Sequence, residues 1–140
     1  MWQGPEMLFS PHKLTSIWDK PLDQVVDNCI QSCPIDVRRP LYSNIMLSGG
    51  TTMFNRFKTR LRVGIKNRVD ERLSRYAEAS GFTPTAIDVN VEALPTQRFA
   101  VWFGASKLAS MPDFYNAMHT RADYLEKGAS IARSNVMFRY

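Results

Sequence analysis

The sequence predicts an α/β fold, because strand-like and helix-like patterns alternate along its 140 residues. The stretch "YSNIMLSGG" is a short apolar run closed by two glycines, which is typical of a strand. A long helical pattern follows it, and "AIDVNV" then places Ile87, Val89 and Val91 in alternation with polar residues, as in a half-buried strand. Only these two strands are clear, so the sheet is expected to be small.

The stretch "PLDQVVDNCIQSCPID" predicts a helix over about 22–32, ended by Pro34. Its inner face is predicted to carry Val25, Val26, Cys29 and Ile30. Cys29 and Cys33 lie four residues apart, which is not a C-x-x-C pattern, and we expect buried, reduced thiols rather than a redox or metal site. Pro40 is expected to break the short helical turn that "IDVRR" begins.

The most periodic element is a basic amphipathic helix. Its apolar stripe recurs every fourth residue, at Phe57, Leu61, Ile65, Val69 and Leu73, with Phe54 three residues earlier. From Arg56 to Arg75, eight Lys and Arg residues against two acids give a net charge of +6, whereas the whole chain carries +5. Such a basic face is able to bind nucleic acid or anionic lipid, whose phosphates it would neutralise. It is equally compatible with a face that contacts only solvent or other protein, and the pattern alone does not decide between these two interpretations.

The remainder predicts a turn at "SGFTP" and an apolar run, "RFAVWFGASKLAS", in which small residues allow close backbone packing. "PDFYNAM" and "RADYLEKG" then predict two short helices, each with an acid in its first turn, the second closed by Gly128.

Composition excludes several classes of protein. With 44% hydrophobic and 22% charged residues, the chain suits a soluble globular protein, and its apolar runs are too short to span a bilayer. The first residues, "MWQGPE", lack the features of a secretory signal, so a cytoplasmic location is expected. No G-x-S-x-G, H-E-x-x-H, Walker A or G-x-G-x-x-G motif is present, and we expect neither enzyme activity nor a metal site in this chain.

The stretch "LSGGTTMF" is the best candidate for a ligand site. It combines a strand end, two glycines that let a ligand approach the backbone, and Thr51 or Thr52 as an expected helix N-cap. No lysine follows the glycines as it does in a phosphate-binding loop. The same pattern also fits a simple turn, and the residues by themselves do not decide between the two.

Several motifs in order resemble the C-terminal part of the actin family: "NIMLSGGTTMF", "QRFAVWFGASKLAS" and "DYLEKGASI". Within the family, "IQSCPIDVRRPLY" and "MPDFYNAMHTRADY" resemble the actin-related proteins more than conventional actin. The similarity covers residues 4–131, and residues 132–140 form a divergent tail. It implies a partial actin-like, ribonuclease H-like ATPase fold, with 1–140 as a single C-terminal segment that lacks the phosphate-binding half.

The resemblance also implies roles for individual residues. Gly49, Gly50 and Thr51 match the loop that lies against the nucleotide, and Met53 and Phe54 match the apolar wall beside the adenine. Arg98 matches a basic residue that packs over the base. Leu108 and Met111 match apolar positions of the groove that binds partner proteins. Two residues depart from the family pattern there: Lys107 replaces an apolar residue and Ala105 replaces a glycine.

The function implied is that of a structural, ATP-binding subunit of the complex that nucleates branched actin filaments. Its expected cofactor is ATP with Mg²⁺ in a full-length family member, with none bound by this chain alone. Its expected partners are actin-related protein 2, the other subunits of the complex, and actin, in the cytoplasm and cytoskeleton, without membrane or nucleic acid.

Two alternatives stay open. One is an inactive, truncated family remnant, in which the apolar faces at Phe57, Leu61, Val101 and Trp102 would be exposed. The other, ranked last, is a nucleic-acid binder that uses the basic helix.

Overall fold

The computed structural model describes residues 3–13 and 19–134, and it has mixed helix and strand content. Two compact units follow each other, the first up to Arg98 and the second from Phe99. The first contains α1 (Gln3–Phe9), α2 (Leu22–Ser32), α3 (Ile35–Tyr42), β1 (Ile45–Leu47), α4 (Phe57–Ser80) and β2 (Val91–Ala93). The second contains α5 (Ala100–Ala109), α6 (Pro112–Ala117) and α7 (Arg121–Lys127). Most of the predicted divergent tail, residues 135–140, lies outside the described residues.

The two predicted strands pair in parallel, with Ile45 opposite Val91 and Leu47 opposite Ala93, and α4 connects them. This strand–helix–strand order confirms the mixed helix and strand character predicted from the sequence. The second strand is shorter than the alternating pattern suggests, because ladder pairing begins only at Val91. The alternation nevertheless sets burial, since Val89 is as well buried as the strand that follows it.

The core of the first unit forms along α4. The stripe predicted from the sequence is confirmed, because Phe57, Leu61, Ile65 and Val69 are buried and Leu73 packs against them. They meet residues from α2, α3 and the sheet, including Ile30, Tyr42, Leu47, Val89 and Val91. Burying each such side chain contributes about 1.5–3 kcal/mol. The expectation that Phe57 and Leu61 would be exposed is therefore wrong.

The predicted bounds of α2 are confirmed, and two of the four residues predicted for its inner face, Val26 and Ile30, pack in the core. The prediction is wrong for the other two. Val25 is 43% exposed and Cys29 is exposed, whereas Asp23 and Asp27 are buried with Ile30. The reason lies on α4: Arg68 Nε donates to Asp23 Oδ2 at 2.5 Å, and an Arg72 guanidinium nitrogen donates to Asp27 Oδ2. Buried carboxylates need such partners, because an unpaired buried charge is costly.

Tyr42 completes this polar network at the end of α3. Its hydroxyl is fully buried, donates to Asp27 Oδ1 at 2.5 Å and accepts from Gln31 Nε2 at 2.9 Å. Burial raises the pKa of Tyr42, and the hydrogen bond to Asp27 raises it further. The network anchors the last turn of α3, which therefore continues through Pro40 to Tyr42. The prediction that Pro40 breaks this helix is wrong.

Much of the positive charge of α4 is neutralised within the first unit. Of the eight basic residues from Arg56, its N-cap, to Arg75, five form ion pairs with described carboxylates: Lys58, Arg60, Lys66, Arg68 and Arg72. The partners are Glu92, Glu6, Asp70, Asp23 and Asp27. The helix therefore offers much less free positive charge to a polyanion than its composition suggests.

The second unit consists of short helices. The two predicted from "PDFYNAM" and "RADYLEKG" are present, and α7 begins with a capping box between Thr120 and Asp123 and ends at Gly128 with φ 65°. The apolar run forms α5, on which Val101 is 78% and Trp102 66% exposed. The exposure expected at these two residues is thus confirmed. Among residues 3–13 and 19–134, no helix is long and apolar enough to cross a membrane.

Candidate functional site

The glycine loop, residues 49–53, leaves β1 and turns before α4 begins. Gly49 has φ 95° and ψ 154°, a conformation that side-chain-bearing residues rarely adopt. Gly50–Met53 then form a 3-10 turn, in which the Thr52 hydroxyl donates to Gly49 O at 2.7 Å and its N–H does so at 3.2 Å.

Neither threonine caps α4, so this prediction is wrong. The helix starts at Phe57, and its N-cap is Arg56, which has φ 62°. The free N–H groups of the helix therefore follow the loop by several residues instead of lying directly behind the glycines. The phosphate-cradle reading loses its structural basis, because that reading needs the helix N-terminus at the glycines.

A second segment, the Gln97 turn (residues 94–98), holds the glycine loop from the other side. Gly49 N–H donates to Gln97 O at 2.8 Å, and Gln97 Nε2 donates to Thr52 Oγ1 at 3.0 Å. Gln97 is only 6% exposed. These bonds join residues that lie 48 and 45 positions apart in the sequence, and they place the loop and the turn side by side.

This arrangement brings together several of the predicted nucleotide residues. A Cβ built on Gly50 would lie 3.9 Å from Arg98 Cγ, so the arginine stem lies close to the loop, on the side to which a Gly50 side chain would point. Thr51 is on the exposed side of the same 3-10 turn. Gly49, Gly50, Thr51 and Arg98 thus form one continuous surface, although no single sequence motif links Arg98 to the glycines.

The apolar pair, Met53 and Phe54, lies on a neighbouring depression of about 440 Å³. Their side chains are 53% and 45% exposed, so a planar ring is able to pack on them. The depression is lined by residues 52–59 together with Ala93, Leu94, Pro95 and Gln97. Among the described residues, the lining does not include Gly49, Gly50 or Arg98, so the predicted site covers the depression and its adjoining rim.

Charge around the depression is mostly positive, from Arg56 and Lys58. Lys58 Nζ lies 3.5 Å from Glu92 Oε2, which neutralises part of it. The pKa of Glu92 is lowered first by a hydrogen bond from the Asn90 amide and then by the nearby Lys58 charge. Glu92 therefore stays ionised in neutral solution and does not serve as a general acid there.

In the part of the chain that the structure describes, no three His, Cys, Asp or Glu side chains come together to hold a metal ion. The described residues thus gather no carboxylate set of the kind that holds Mg²⁺. Both cysteines are free thiols, as expected, but Cys29 is exposed and not buried. The predicted burial of that thiol is wrong because α2 turns Asp27 inward in its place.

The predicted groove residues lie together at the junction of α5 and α6. Leu108 is 36% and Met111 42% exposed, and the Met111 N–H donates to Leu108 O at 3.0 Å. Lys107 stands beside them in the last turn of α5, also exposed, with Ala105 two residues earlier. An exposed apolar pair of this kind is suited to a protein contact, and the lysine side chain is free to extend its charge toward water.

Sequence reasoning missed Gln97 and the true role of Thr52. A glutamine in "LPTQRF" is typical of a surface turn, and no local pattern signals that its amide is buried. Only the pairing of β1 with β2 brings this turn to the glycine loop. A threonine before a helix is typical of an N-cap, but the Thr52 hydroxyl instead bonds to Gly49 O and closes a 3-10 turn.

Comparison with known proteins identifies the class of protein. The actin family model matches residues 2–137, and the chain therefore belongs to the actin family. The relatives that it matches include actin-related protein 3 from Drosophila melanogaster, at 52% identity over 137 residues. Actin-related protein 3 from Dictyostelium discoideum is also 52% identical, over 136 residues, and that from Oryza sativa subsp. indica is 51% identical, over 138 residues.

These alignments cover 96% to 97% of this chain but only 32% to 33% of each relative. The chain thus spans about a third of the length of the curated relatives it matches. The family prediction is confirmed, as is the resemblance to actin-related protein 3 carried by "IQSCPIDVRRPLY" and "MPDFYNAMHTRADY". The ribonuclease H-like assignment and the residue roles stay predictions.

Proposed function

We propose that this chain forms the base-contacting wall of an ATP site in a longer polypeptide similar to actin-related protein 3. We further propose that this polypeptide is a structural subunit of the complex that nucleates branched actin filaments. The observation that carries the proposal is the glycine loop, which the Gln97 turn holds beside Arg98. Exposed Met53 and Phe54 add an apolar surface next to it. The identity of about 51% to 52% with actin-related protein 3 supports the choice of ligand and assembly.

The chemistry of the wall favours the adenine over the phosphates. A flat base gains from apolar packing on Phe54 and Met53 and from a guanidinium over its face. The polyphosphate would instead need backbone N–H groups or Mg²⁺ ligands, which the described loop and depression do not gather. We therefore propose adenosine-directed binding and no ATP hydrolysis by these residues, so that any regulatory ATPase belongs to the longer polypeptide.

The sequence led us to expect no nucleotide on this chain alone, but the proposed base-contacting wall lies entirely within it, and we therefore propose that the chain itself binds adenosine weakly. The test is a thermal shift of the full 140-residue chain with ATP, with and without Mg²⁺, and with adenosine. Ligand at ten times its Kd should stabilise the chain by about 1.4 kcal/mol. Adenosine should give most of the shift, and Mg²⁺ should add little. Phe54→Ala should abolish the shift, whereas Phe82→Ala, at an exposed position on the loop after α4, should retain it. No shift with ligand on the order of 10 mM would contradict nucleotide binding by this chain.

Assembly is tested separately. Co-expressed with actin-related protein 2 and the remaining subunits of the nucleating complex, the chain should co-purify through the exposed pair at the α5–α6 junction. Leu108→Asp should weaken recovery strongly, because it places a charge in an apolar contact. Lys107→Met should strengthen recovery or leave it unchanged. Recovery that is equal for the wild type and Leu108→Asp would count against this groove. The proposed location, cytoplasmic and cytoskeletal, follows from such a role.

A second candidate is an actin-family polypeptide with no nucleotide or assembly activity. The exposure of Val101 and Trp102 on α5 favours it, since large apolar side chains of this kind usually pack against other protein. The expected behaviour is strong binding of a hydrophobic dye that Trp102→Gln reduces, together with concentration-dependent association. A sharp, concentration-independent thermal transition would argue against this candidate.

A further inference from the structure

We propose that Gln97 is a positioning residue of the nucleotide wall, holding the glycine loop against the turn that carries Arg98. Its side-chain amide acts on Thr52, and the contact between Gly50 and Arg98 depends on that bond. This inference rests on the proposed function, because it assigns the geometry of the same base-contacting wall to a residue that touches no base.

The bonding of Gln97 is directed to both ends of the 3-10 turn. The main-chain carbonyl oxygen of Gln97 accepts from Gly49 N–H at 2.8 Å, and its side-chain Nε2 donates to Thr52 Oγ1 at 3.0 Å. The Thr52 hydroxyl in turn donates to Gly49 O at 2.7 Å, which closes a ring of bonds around the loop. At 6% exposure, the amide is largely removed from water, so these bonds have little competition from solvent.

The next residue in the chain connects this ring to the ligand surface. Arg98 follows Gln97 directly, and its Cγ lies 3.9 Å from the position of a Cβ on Gly50. Gly50 itself lies between Gly49 and Thr52, the two residues that Gln97 holds. Movement of the Gln97 amide therefore changes the distance between the loop backbone and the Arg98 side chain. A site needs its groups within about 0.5 Å of the productive geometry.

The side chain is the part that mutation is able to remove. Gln97→Ala keeps the backbone bond to Gly49 and deletes the bond to Thr52. Thr52→Val deletes that bond from the other side, together with the bond from the Thr52 hydroxyl to Gly49 O, with little change of shape. Thr52→Ser retains the hydroxyl and serves as the rescue variant. Thr96→Val, at the exposed residue next to Gln97, is the matched control.

Two readouts on the full chain separate the inference from the proposed function. The first, without ligand, is the NMR nuclear Overhauser contact between the Gly50 Hα and Arg98 side-chain protons. The second is the affinity for a fluorescent ATP analogue. Gln97→Ala and Thr52→Val should lose the contact and bind roughly five- to tenfold more weakly, whereas Thr52→Ser and Thr96→Val should stay within about twofold of wild type.

Retention of the Gly50–Arg98 contact in Gln97→Ala and Thr52→Val would overturn the inference, even if both variants melted at lower temperature. Equal losses in Thr52→Ser would overturn it as well, because the hydroxyl would then have no role. A wild type that shows the contact but binds no nucleotide would contradict the proposed function and the nucleotide role of Gln97. The contact in the variants would still decide whether Gln97 holds the loop.

Discussion

Gly64→Ala tests how closely α2 approaches α4. Gly64 lies in the middle of α4, and a Cβ built there would lie 3.0 Å from Asp23 Cβ, 3.1 Å from its Cγ and 3.2 Å from its Oδ2. Distances of this size require a shift of a few tenths of an ångström. Asp23 Cβ is fixed to the backbone of α2 and its carboxylate is bonded to Arg68, so the movement must displace the helix or the ion pair.

Two opposing terms set the magnitude. Alanine gains about 1 kcal/mol over glycine in a helix interior. Overpacking costs about 1–3 kcal/mol, and displacing a buried ion pair adds to that cost. We expect a net loss of about 1 kcal/mol, which lowers the melting temperature of a unit of this size by roughly 4–8 °C. Helix propensity alone would predict a rise of similar size, so the sign of the change distinguishes the two.

The assay is thermal and urea unfolding followed by circular dichroism on the full chain. The Gly64→Ala change is also made in an Asp23→Ala background, where the contacts at 3.1 and 3.2 Å no longer exist. Its cost should be smaller there, giving a coupling energy between the two sites. A rise in melting temperature for Gly64→Ala in the wild-type background would refute the close-approach reasoning.

Three further predictions concern burial, pH and backbone conformation. Arg72→Met should lower the free energy of unfolding in urea by about 2–3 kcal/mol, because it leaves the buried Asp27 without its cation. The double variant with Asp27→Leu should recover most of that loss, and a double variant no more stable than Arg72→Met would contradict the reasoning. The pKa of Glu6 is lowered from 4.5 to about 2, chiefly by hydrogen bonds from Arg60, so the stability that ionised Glu6 contributes is present above pH 4.5 and is lost as the pH falls toward 2. Glu6→Gln should remove this part of the acid dependence of the melting temperature, and identical melting profiles against pH for the wild type and Glu6→Gln would contradict it. Gly49→Ala should cost about 1 kcal/mol because of its φ of 95°, while Gly50→Ala should be close to neutral in the same melting experiment; equal effects would show that the loop is not held in this conformation.

Local patterns were sufficient for most of the helices. The apolar stripe of α4 recurs every fourth residue, so its burial follows from helix geometry whatever it packs against. The limits of α2 and the end of α7 at Gly128 likewise depend on residues within a turn of each helix end. The motifs shared with the actin family were also readable without a structure, because several of them occur in the same order.

Local patterns failed where a partner distant in sequence decides the outcome. The inner face of α2 was predicted as apolar, yet Asp27 and Asp23 turn inward because arginines on α4 lie opposite them, 45 residues later. Pro40 was predicted to end α3, but the buried hydroxyl of Tyr42 bonds to that same network and holds the following turn in place. In both cases, hydrogen bonds to residues distant in sequence, together with the packing around them, prevail over a local preference.

The candidate site shows the same division. The sequence alone determined that "LSGGTTMF" ends a strand and exposes a glycine backbone, because glycine conformation and strand periodicity are local properties. Only the tertiary structure decided that the glycine loop stops short of α4 and is held by Gln97, with Arg98 against Gly50. The physical reason is that parallel pairing of β1 with β2 joins segments 46 residues apart, and no local pattern encodes which turn will lie beside the loop.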